Sequence, residues 1–513
     1  MTQLHEKPIH LDHARRKSAT EVPIPQTADI HGHHLGAITP LIRAAAAGNR
    51  LQMQLLLSVG ADVNDIDPKY GANALFWAAR NGHLDAVAFL LDRGVDANSR
   101  AQDGKMPLIW ASITGQFETV RLLLDRGADP NAGSATGNTS LFWASYKGHL
   151  PIVRLLLEAG ADPNARNRTG HTAAMWGAYS GQSEVLNILL DAGADPNAGD
   201  QRYGFTPLFW ACLRDHADTA KVILDRGADA NSRDVAGNTP LMWAARMGWT
   251  RTAETLISLG AGVNMARQDG ATPLSWACYG GHVPLVELLI SKGADVNAGR
   301  GTRANPLAAA LDRNQMQVAD KLLRAGANVN SVDERGDPVL LWVIGRGSLE
   351  LVKLLVGYGA DVNARDRKYG NTALFWACNR GQSDVVAYLL ERGADVDARN
   401  KFGSTPLFWA VNKGNSDPVR LLLNAGADIN ARDRESKTAL MVASAEGSLS
   451  LVKLLLVRGA DANVRNAYGW TPLMAAYLGG HLEVMASLRR FGADMEGFLR
   501  ERDLTHFYRG FNG

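Results

Sequence analysis

Residues 137–164 read GNTSLFWASYKGHLPIVRLLLEAGADPN, and this stretch holds the plan of the whole chain. Thr139 can cap a first helix with its hydroxyl, and Gly160 stands where a left-handed residue commonly ends a second helix. The apolar residues between them recur at helical spacing. We therefore predict a first helix, a Gly-His turn, a second helix and a polar hairpin, at 141–147, 148–149, 150–158 and from Asp162 onward.

The same pattern recurs about every 33 residues, with fourteen copies between Ala37 and about Met495. A repeat of this length is typical of a stacked solenoid. Because one unit cannot bury its apolar face alone, neighbouring units must stack. The predicted fold class is all-α, an elongated solenoid of helix-turn-helix units joined by short β-hairpin loops.

The repeats divide the 513 residues into three predicted segments. We expect a polar, disordered arm over 1–36, a repeat domain over 37–495 and a tail over 496–513. The arm holds six of the thirteen histidines, among them His31, His33 and His34. A solvated arm is the simple interpretation, and a metal-binding arm is the alternative.

The composition is nearly neutral, with a net charge of +2 and 21% charged residues, so the total charge does not indicate a nucleic-acid or acidic-membrane ligand. No apolar run resembles a secretory signal or is long enough to span a membrane. We expect a cytoplasmic protein, and the sequence leaves export without a cleaved signal open. Cys212, Cys278 and Cys378 lie in non-adjacent repeats, so buried free thiols are predicted.

Three motifs recur at fixed places in the repeats. Thr-Pro-Leu opens a first helix, as at 206–208; Gly-His separates the helices, as at 148–149; Gly-Ala-Asp-x-Asn follows the second helix, as at 127–131. With these motifs the chain resembles the ankyrin repeat family over roughly nine tenths of its length. The resemblance implies a non-enzymatic protein that binds other macromolecules, with first helices and hairpins on a concave side.

The chain departs from the family's usual Thr-Pro-Leu-His motif. In that motif the His ties neighbouring units by hydrogen bonds, whereas this chain prefers Phe-Trp, as at Phe142-Trp143. We expect apolar packing by the Phe to replace those bonds.

Ten of the twelve tryptophans occupy one position of the repeat, so stacking should align them in a row. These ladder tryptophans are Trp77, Trp110, Trp143, Trp176, Trp210, Trp243, Trp276, Trp342, Trp376 and Trp409. Trp is favoured at binding hot spots because it offers a large contact area. The alternative is that the indoles only fill the space between first helices, where Leu would serve.

Residues three and four positions after each ladder Trp lie on the same flank of the first helix. Cations dominate these positions, and Asp312 and Glu446 are the acidic exceptions. The cations are Arg80, Lys147, Arg214, Arg246, Arg313, Arg346, Arg380 and Lys413, and the aromatic residues there are Tyr146, Tyr179 and Tyr279.

The sequence thus predicts a non-enzymatic scaffold that captures an extended protein or peptide partner on a Trp-lined, cation-interleaved concave face. The alternative is a binder of single-stranded nucleic acid or another polyanion through the same groove, because aromatic stacking plus a cationic groove is the recipe for such binding. No motif for hydrolysis, nucleotide binding or metal binding is present. We expect no cofactor, no metal and no membrane insertion.

The remaining charged motifs receive structural interpretations. The histidines of the Gly-His turns, His83, His149, His282 and His481, should serve the turn, and the Asp of Gly-Ala-Asp should bond hairpin backbone. Three longer linkers carry a Tyr-Gly pair after a basic residue, at 69–71, 202–204 and 368–370. We interpret them as loop variation, with a reach over the concave face as the alternative.

Four repeats lack the ladder Trp and carry Arg43, Ala309, Val442 and Ala475 instead. The first and last resemble end caps, whereas repeat 9, with its basic hairpin at 300–303, interrupts the row as a bend or a boundary. First helices packed about 8–10 Å apart would match three residues of an extended chain at about 3.1–3.3 Å each. Seven uninterrupted Trp repeats, from Trp77 to Trp276, would then hold about twenty ligand residues.

Overall fold

The computed structural model describes residues 39–299, 304–333 and 335–494. Within these ranges the chain forms 28 α-helices in fourteen consecutive pairs, which confirms the all-α repeat fold. The predicted arm, the hairpin at 300–303 and the tail at 496–513 lie outside the described residues.

The first helix of each repeat is short, and its start is fixed by a capping residue or a proline. Thr139 accepts a hydrogen bond from the Phe142 backbone N–H at 3.4 Å, and Gly148, at φ 76°, ends that helix. The first helices are α1 (Pro40–Ala46), α3 (Ala74–Asn81), α5 (Pro107–Thr114), α7 (Ser140–Lys147), α9 (Ala173–Tyr179), α11 (Pro207–Cys212), α13 (Pro240–Met247), α15 (Pro273–Gly280), α17 (Pro306–Asp312), α19 (Val339–Arg346), α21 (Ala373–Arg380), α23 (Pro406–Asn412), α25 (Ala439–Ala445) and α27 (Pro472–Leu478).

The second helices are nine residues long and bury one apolar stripe each, as Ile152, Val153 and Leu156 do in repeat 4. They are α2 (Arg50–Ser58), α4 (Leu84–Asp92), α6 (Phe117–Asp125), α8 (Leu150–Glu158), α10 (Ser183–Asp191), α12 (Ala217–Asp225), α14 (Thr250–Ser258), α16 (Val283–Ser291), α18 (Met316–Arg324), α20 (Leu349–Gly357), α22 (Ser383–Glu391), α24 (Ser416–Asn424), α26 (Leu449–Val457) and α28 (Leu482–Arg490).

The described residues form two compact units. Unit 1 contains the described residues up to Gly177 and Glu184–Ala194, and unit 2 contains Ala178–Ser183 and the described residues from Asp195 onward. Within unit 1, α1, α3, α5 and α7 pack in sequence, each first helix against the next. Within unit 2 the same packing links α11 through α17 and α19 through α27. The division falls in repeat 5, away from the interruption of the Trp row at repeat 9.

Polar side chains join successive repeats at two recurring places. In unit 1, the His149 ring bonds the Ile113 carbonyl at 3.2 Å, and Asn131 donates to the Gly160 carbonyl at 2.9 Å. The same histidine bond recurs at His83, His216, His282 and His481. These contacts confirm the structural role expected for the Gly-His turn.

The hairpin loops are tighter than the sequence suggested. Asp129 accepts the Asn131 backbone N–H at 2.8 Å, as expected for this motif. The Gly137 N–H then bonds the Ser134 carbonyl at 2.8 Å, which closes a four-residue turn, and the Ser134 N–H bonds the Asn138 carbonyl at 3.0 Å. Such a turn leaves no length for a strand ladder, so the described loops contain only isolated β-bridges, at Ile66–Asn73, Val332–Pro338 and Arg365–Thr372.

The glycine that ends each second helix provides a test of the repeat architecture. Gly127 has φ 83°, and a Cβ there would meet nothing within 4 Å, so any cost of substitution comes from the backbone. We expect Gly127→Val to lower the free energy of unfolding by about 1–3 kcal/mol. Urea denaturation followed by tryptophan fluorescence measures it. Gly127→Asn is the control, since Asn tolerates this conformation, and an equal loss in both variants would contradict the backbone explanation.

The three thiols are buried and free, with 0% exposure each. Burial raises the pKa of Cys212, Cys278 and Cys378 well above its ordinary value. Because the thiolate is the reactive species, we expect a disulfide reagent at pH 8 to label none of them within minutes, and to label all three after denaturation. Rapid labelling of the native protein would show that this part of the core opens.

Candidate functional site

The ladder tryptophans lie on the first helices but differ in exposure. Trp143 and Trp243 are buried, with 4% and 7% of their surface exposed, whereas the other eight are partly buried and partly open. We define the first-helix face as the ladder tryptophans together with the residues three and four positions after them.

In unit 1 a phenylalanine precedes two of the four ladder tryptophans, and each of these phenylalanines links two repeats. The Phe76 ring lies 6.0 Å from the Trp77 ring and 5.9 Å from that of Trp110 in the next repeat, edge to face in both cases. Phe142 likewise contacts Trp143 edge to face at 6.0 Å, and it contacts Trp176 of the next repeat at 5.1 Å with the rings tilted by 46°. Edge-to-face contacts at such distances are favourable, so the Phe-Trp pair contributes to the packing of one repeat on another.

In unit 2 a second phenylalanine joins the cluster of repeat 6. Phe205 stacks on Phe209 at 5.2 Å and contacts Trp210 at 5.9 Å and Trp243 at 5.6 Å. Packing is therefore a real role of these indoles, although their partial exposure leaves surface for another.

Two of the predicted cations lie between ladder tryptophans. The Arg80 guanidinium is 5.1 Å from the Trp77 ring centre and 4.9 Å from that of Trp110. In unit 2, Arg246 lies 5.5 Å from Trp243 and 5.0 Å from Trp276. Burial lowers the pKa of both guanidinium groups, and they remain charged at neutral pH because an arginine starts near 12.5.

Three other cations contact the preceding repeat instead. Arg214 lies 4.8 Å from the Tyr179 ring and Arg313 lies 4.1 Å from that of Tyr279. Arg346 contacts its own Trp342 at 4.4 Å and forms a 2.6 Å ion pair with Asp312. Each of these three cations lies four residues after the ladder position, and each contacts the residue that lies three after the ladder position in the preceding repeat.

The remaining site residues complete the face. Tyr146 lies 6.2 Å from Trp143 and 5.2 Å from Trp176, and Lys147 lies over the Tyr146 ring at 5.5 Å. Tyr179 and Tyr279 contact Trp210 and Trp276 at 5.6 and 6.3 Å. Exposed Arg380 and Lys413 stack on no ring of the described chain.

Three aspartates that the sequence analysis missed fix the orientation of indoles. Asp67, Asp234 and Asp366 accept the indole N–H of Trp77, Trp243 and Trp376 at 3.1, 2.9 and 3.3 Å. Each precedes its Trp by nine or ten residues, in the loop before the first helix. The sequence contains that spacing, but a carboxylate in a polar turn does not by itself indicate a bond to an indole.

The three Tyr-Gly linkers share one local structure. In the first, Asp67 accepts the backbone N–H groups of Lys69 and Tyr70 at 3.1 and 2.6 Å, and the Lys69 ammonium lies over the Tyr70 ring at 5.0 Å. In the other two linkers, the basic residue before the tyrosine likewise lies over the ring of Tyr203 or Tyr369. Tyr70 contacts Trp77 at 5.8 Å, so this linker borders the first-helix face.

The described residues contain no group of three metal-ligating side chains. None of their helices is both long and apolar enough to cross a bilayer. The first-helix face presents aromatic surfaces and cations.

Helix-turn-helix units in tandem, bearing a ladder of aromatic residues, define a repeat protein. A sequence profile for ankyrin repeats (3 copies) matches residues 24–101, 93–167, 129–200, 164–234, 228–300, 306–400, 340–433 and 407–498. The chain belongs to the ankyrin repeat family. Proteins of this family generally serve as protein–protein interaction scaffolds and are typically non-enzymatic.

Curated relatives are similar over short segments. Ankyrin repeat and SAM domain-containing protein 6 of Rattus norvegicus is 34% identical over 86 residues, 16% of this chain and 10% of that protein. Ankyrin repeat domain-containing protein 40 of Mus musculus is 41% identical over 67 residues, 13% of this chain and 18% of that protein. The chain covers less than a fifth of either relative.

Proposed function

We propose that this protein is a non-enzymatic scaffold that binds an extended segment of a partner protein on its first-helix face. The observation that carries the proposal is the partial exposure of eight ladder indoles, with cations placed among them. If the ladder position served packing alone, leucine would fill it equally well. Trp also supplies contact area for a partner at little entropic cost.

The row in unit 1 is the better defined binding surface. It contains four consecutive ladder tryptophans, Trp77, Trp110, Trp143 and Trp176. At three ligand residues per repeat it would engage about twelve residues of an extended chain. Proline-rich or β-extended segments both suit such a row, since aromatic-lined grooves bind polyproline helices.

The nucleic-acid alternative is less well supported by the charges. Arg346 is paired with Asp312, and Asp67 and Asp234 place carboxylates beside two of the indoles. Carboxylates at these places would repel the phosphates of a single strand. Family membership also favours a protein partner.

Selection from a displayed library of random 12-residue peptides tests the function. Binding of the enriched peptides is then compared with binding of a fluorescein-labelled 20-nucleotide oligo-dT at 50 and 200 mM salt. We expect peptides to bind with weak salt dependence. Tight oligo-dT binding that falls steeply with salt, with no peptide enriched, would replace this function by the alternative.

A further inference from the structure

Arg80 and Arg246 occupy matching arrangements that the other cations of the first-helix face do not share. Both lie three residues after a ladder Trp, between that indole and the indole of the next repeat. In both cases the first indole donates its N–H to an aspartate. The same four-residue combination thus recurs independently in each unit.

Clamp 1 consists of Asp67, Trp77, Arg80 and Trp110. Asp67 fixes the Trp77 indole through a 3.1 Å bond, and the two rings enclose the Arg80 guanidinium at 5.1 and 4.9 Å. Within the described chain the Arg80 side chain donates no hydrogen bond and forms no ion pair, although it remains partly exposed. Lys105 also lies near Trp110, but Asp103 neutralises it.

Clamp 2 consists of Asp234, Trp243, Arg246 and Trp276. Its indole bond is 2.9 Å long, and the ring distances to Arg246 are 5.5 and 5.0 Å. The Arg246 side chain likewise has no acceptor among the described residues. The nearby Arg267 is paired with Asp269 at 3.2 Å. In each clamp, therefore, the guanidinium N–H groups bond no acceptor among the described residues.

A guanidinium held within about 5.5 Å of two ring centres still has N–H donors on its edge. That edge presents parallel N–H donors in a rigid fork, which matches the two oxygens of a carboxylate. The fixed rings also reduce the side-chain entropy that such a bond would otherwise cost. Each clamp holds a single such cation, so a single short-range acceptor suits it better than a polyanion does.

Resting on the function proposed above, we infer that Arg80 and Arg246 each bind the carboxylate of an acidic side chain in the extended partner. The flanking indoles act as walls for the neighbouring ligand residues. The binding preference of the scaffold is thus for segments in which Asp or Glu interrupts apolar or proline residues.

Two synthetic peptides test this inference, fluorescein-labelled (Pro-Pro-Glu)4 and (Pro-Pro-Gln)4, by anisotropy with the full chain. Glu stands at every third position, and the Gln peptide has the same shape without the charge. We expect the Glu peptide to bind at least about tenfold more tightly, the ratio that about 1.4 kcal/mol gives. Arg80→Gln with Arg246→Gln should abolish that preference.

The matched control removes two exposed arginines from second helices, Arg154→Gln with Arg420→Gln. It changes the net charge equally, so the preference should persist there. Arg80→Lys with Arg246→Lys keeps the charge but lacks the fork, and we expect it to lose most of the preference. Circular dichroism and thermal unfolding verify that each variant is folded.

Equal affinity for the two peptides, undetectable binding of both, or an unchanged preference in the double Gln variant would overturn the inference. So would a larger loss of oligo-dT binding than of Glu-peptide binding in that variant, since the clamps would then hold phosphate. Library peptides that bind without any preference for Glu would reject the clamps and leave the proposed scaffold function standing.

Discussion

Replacing Trp77, Trp110 and Trp176 together by leucine should weaken binding of a library-selected peptide by at least about 2 kcal/mol, roughly 30-fold. These three indoles of unit 1 are partly exposed, whereas Trp143 between them in sequence is buried. Leucine retains an apolar filler, so the fold should persist while the exposed ring surface is lost. Isothermal titration calorimetry measures the affinity, and urea unfolding measures the stability.

The control for this variant uses the two tryptophans outside the ladder. Trp249→Leu with Trp470→Leu removes indoles without touching the first-helix face, so the affinity for the same peptide should stay within about twofold. An unchanged affinity in the triple ladder variant would show that the indoles serve packing alone. A collapse of stability in the triple variant would identify them as core residues.

Phe209→Ala should have the largest effect on stability. The Phe209 ring is 0% exposed and stacks on Phe205 at 5.2 Å with an interplanar angle of 12°. Removing a buried aromatic ring costs about 3–5 kcal/mol through lost transfer energy and the cavity left behind. Because repeats are stabilised by their neighbours, we expect unfolding to become less cooperative, with repeats near the site opening first.

Hydrogen exchange followed by mass spectrometry checks where the Phe209→Ala protein opens. Faster exchange should concentrate in α11 and in its neighbours α12 and α13. Phe402→Ala is the control, because Phe402 is 52% exposed and surface changes usually alter stability by less than about 0.5 kcal/mol. Equal destabilisation by both variants would contradict a core centred on Phe209.

Much of the fold could be predicted from the sequence, because the residues that determine it are close together in the chain and recur periodically. The predicted second helix at 150–158 is the observed α8, and the first began one residue earlier than predicted. Gly160 adopts φ 86°, and its N–H and that of Ala161 bond Leu157 and Leu156 at 3.0 and 2.9 Å. These features depend on residues within one repeat, so one repeat sufficed to predict them.

The candidate site could be predicted only in part, because its geometry depends on the neighbouring repeat. Trp143 and Trp110 hold the same position in the repeat, yet the first is buried and the second is partly open. Trp143 packs in one cluster with Ile109 of the repeat before it and Trp176 of the repeat after it. No repeat by itself contains that information.

The sequence by itself determined the repeat, the helix boundaries, the alignment of the tryptophans and the excess of cations beside them. Only the tertiary structure decided which cations enter between rings. Positions three and four after the Trp differ by about 100° around the helix, so Arg80 turns toward the next repeat whereas Arg214 turns toward the one before. Stacking converts that small angular difference into two distinct surroundings, since each flank of a first helix faces a different neighbour.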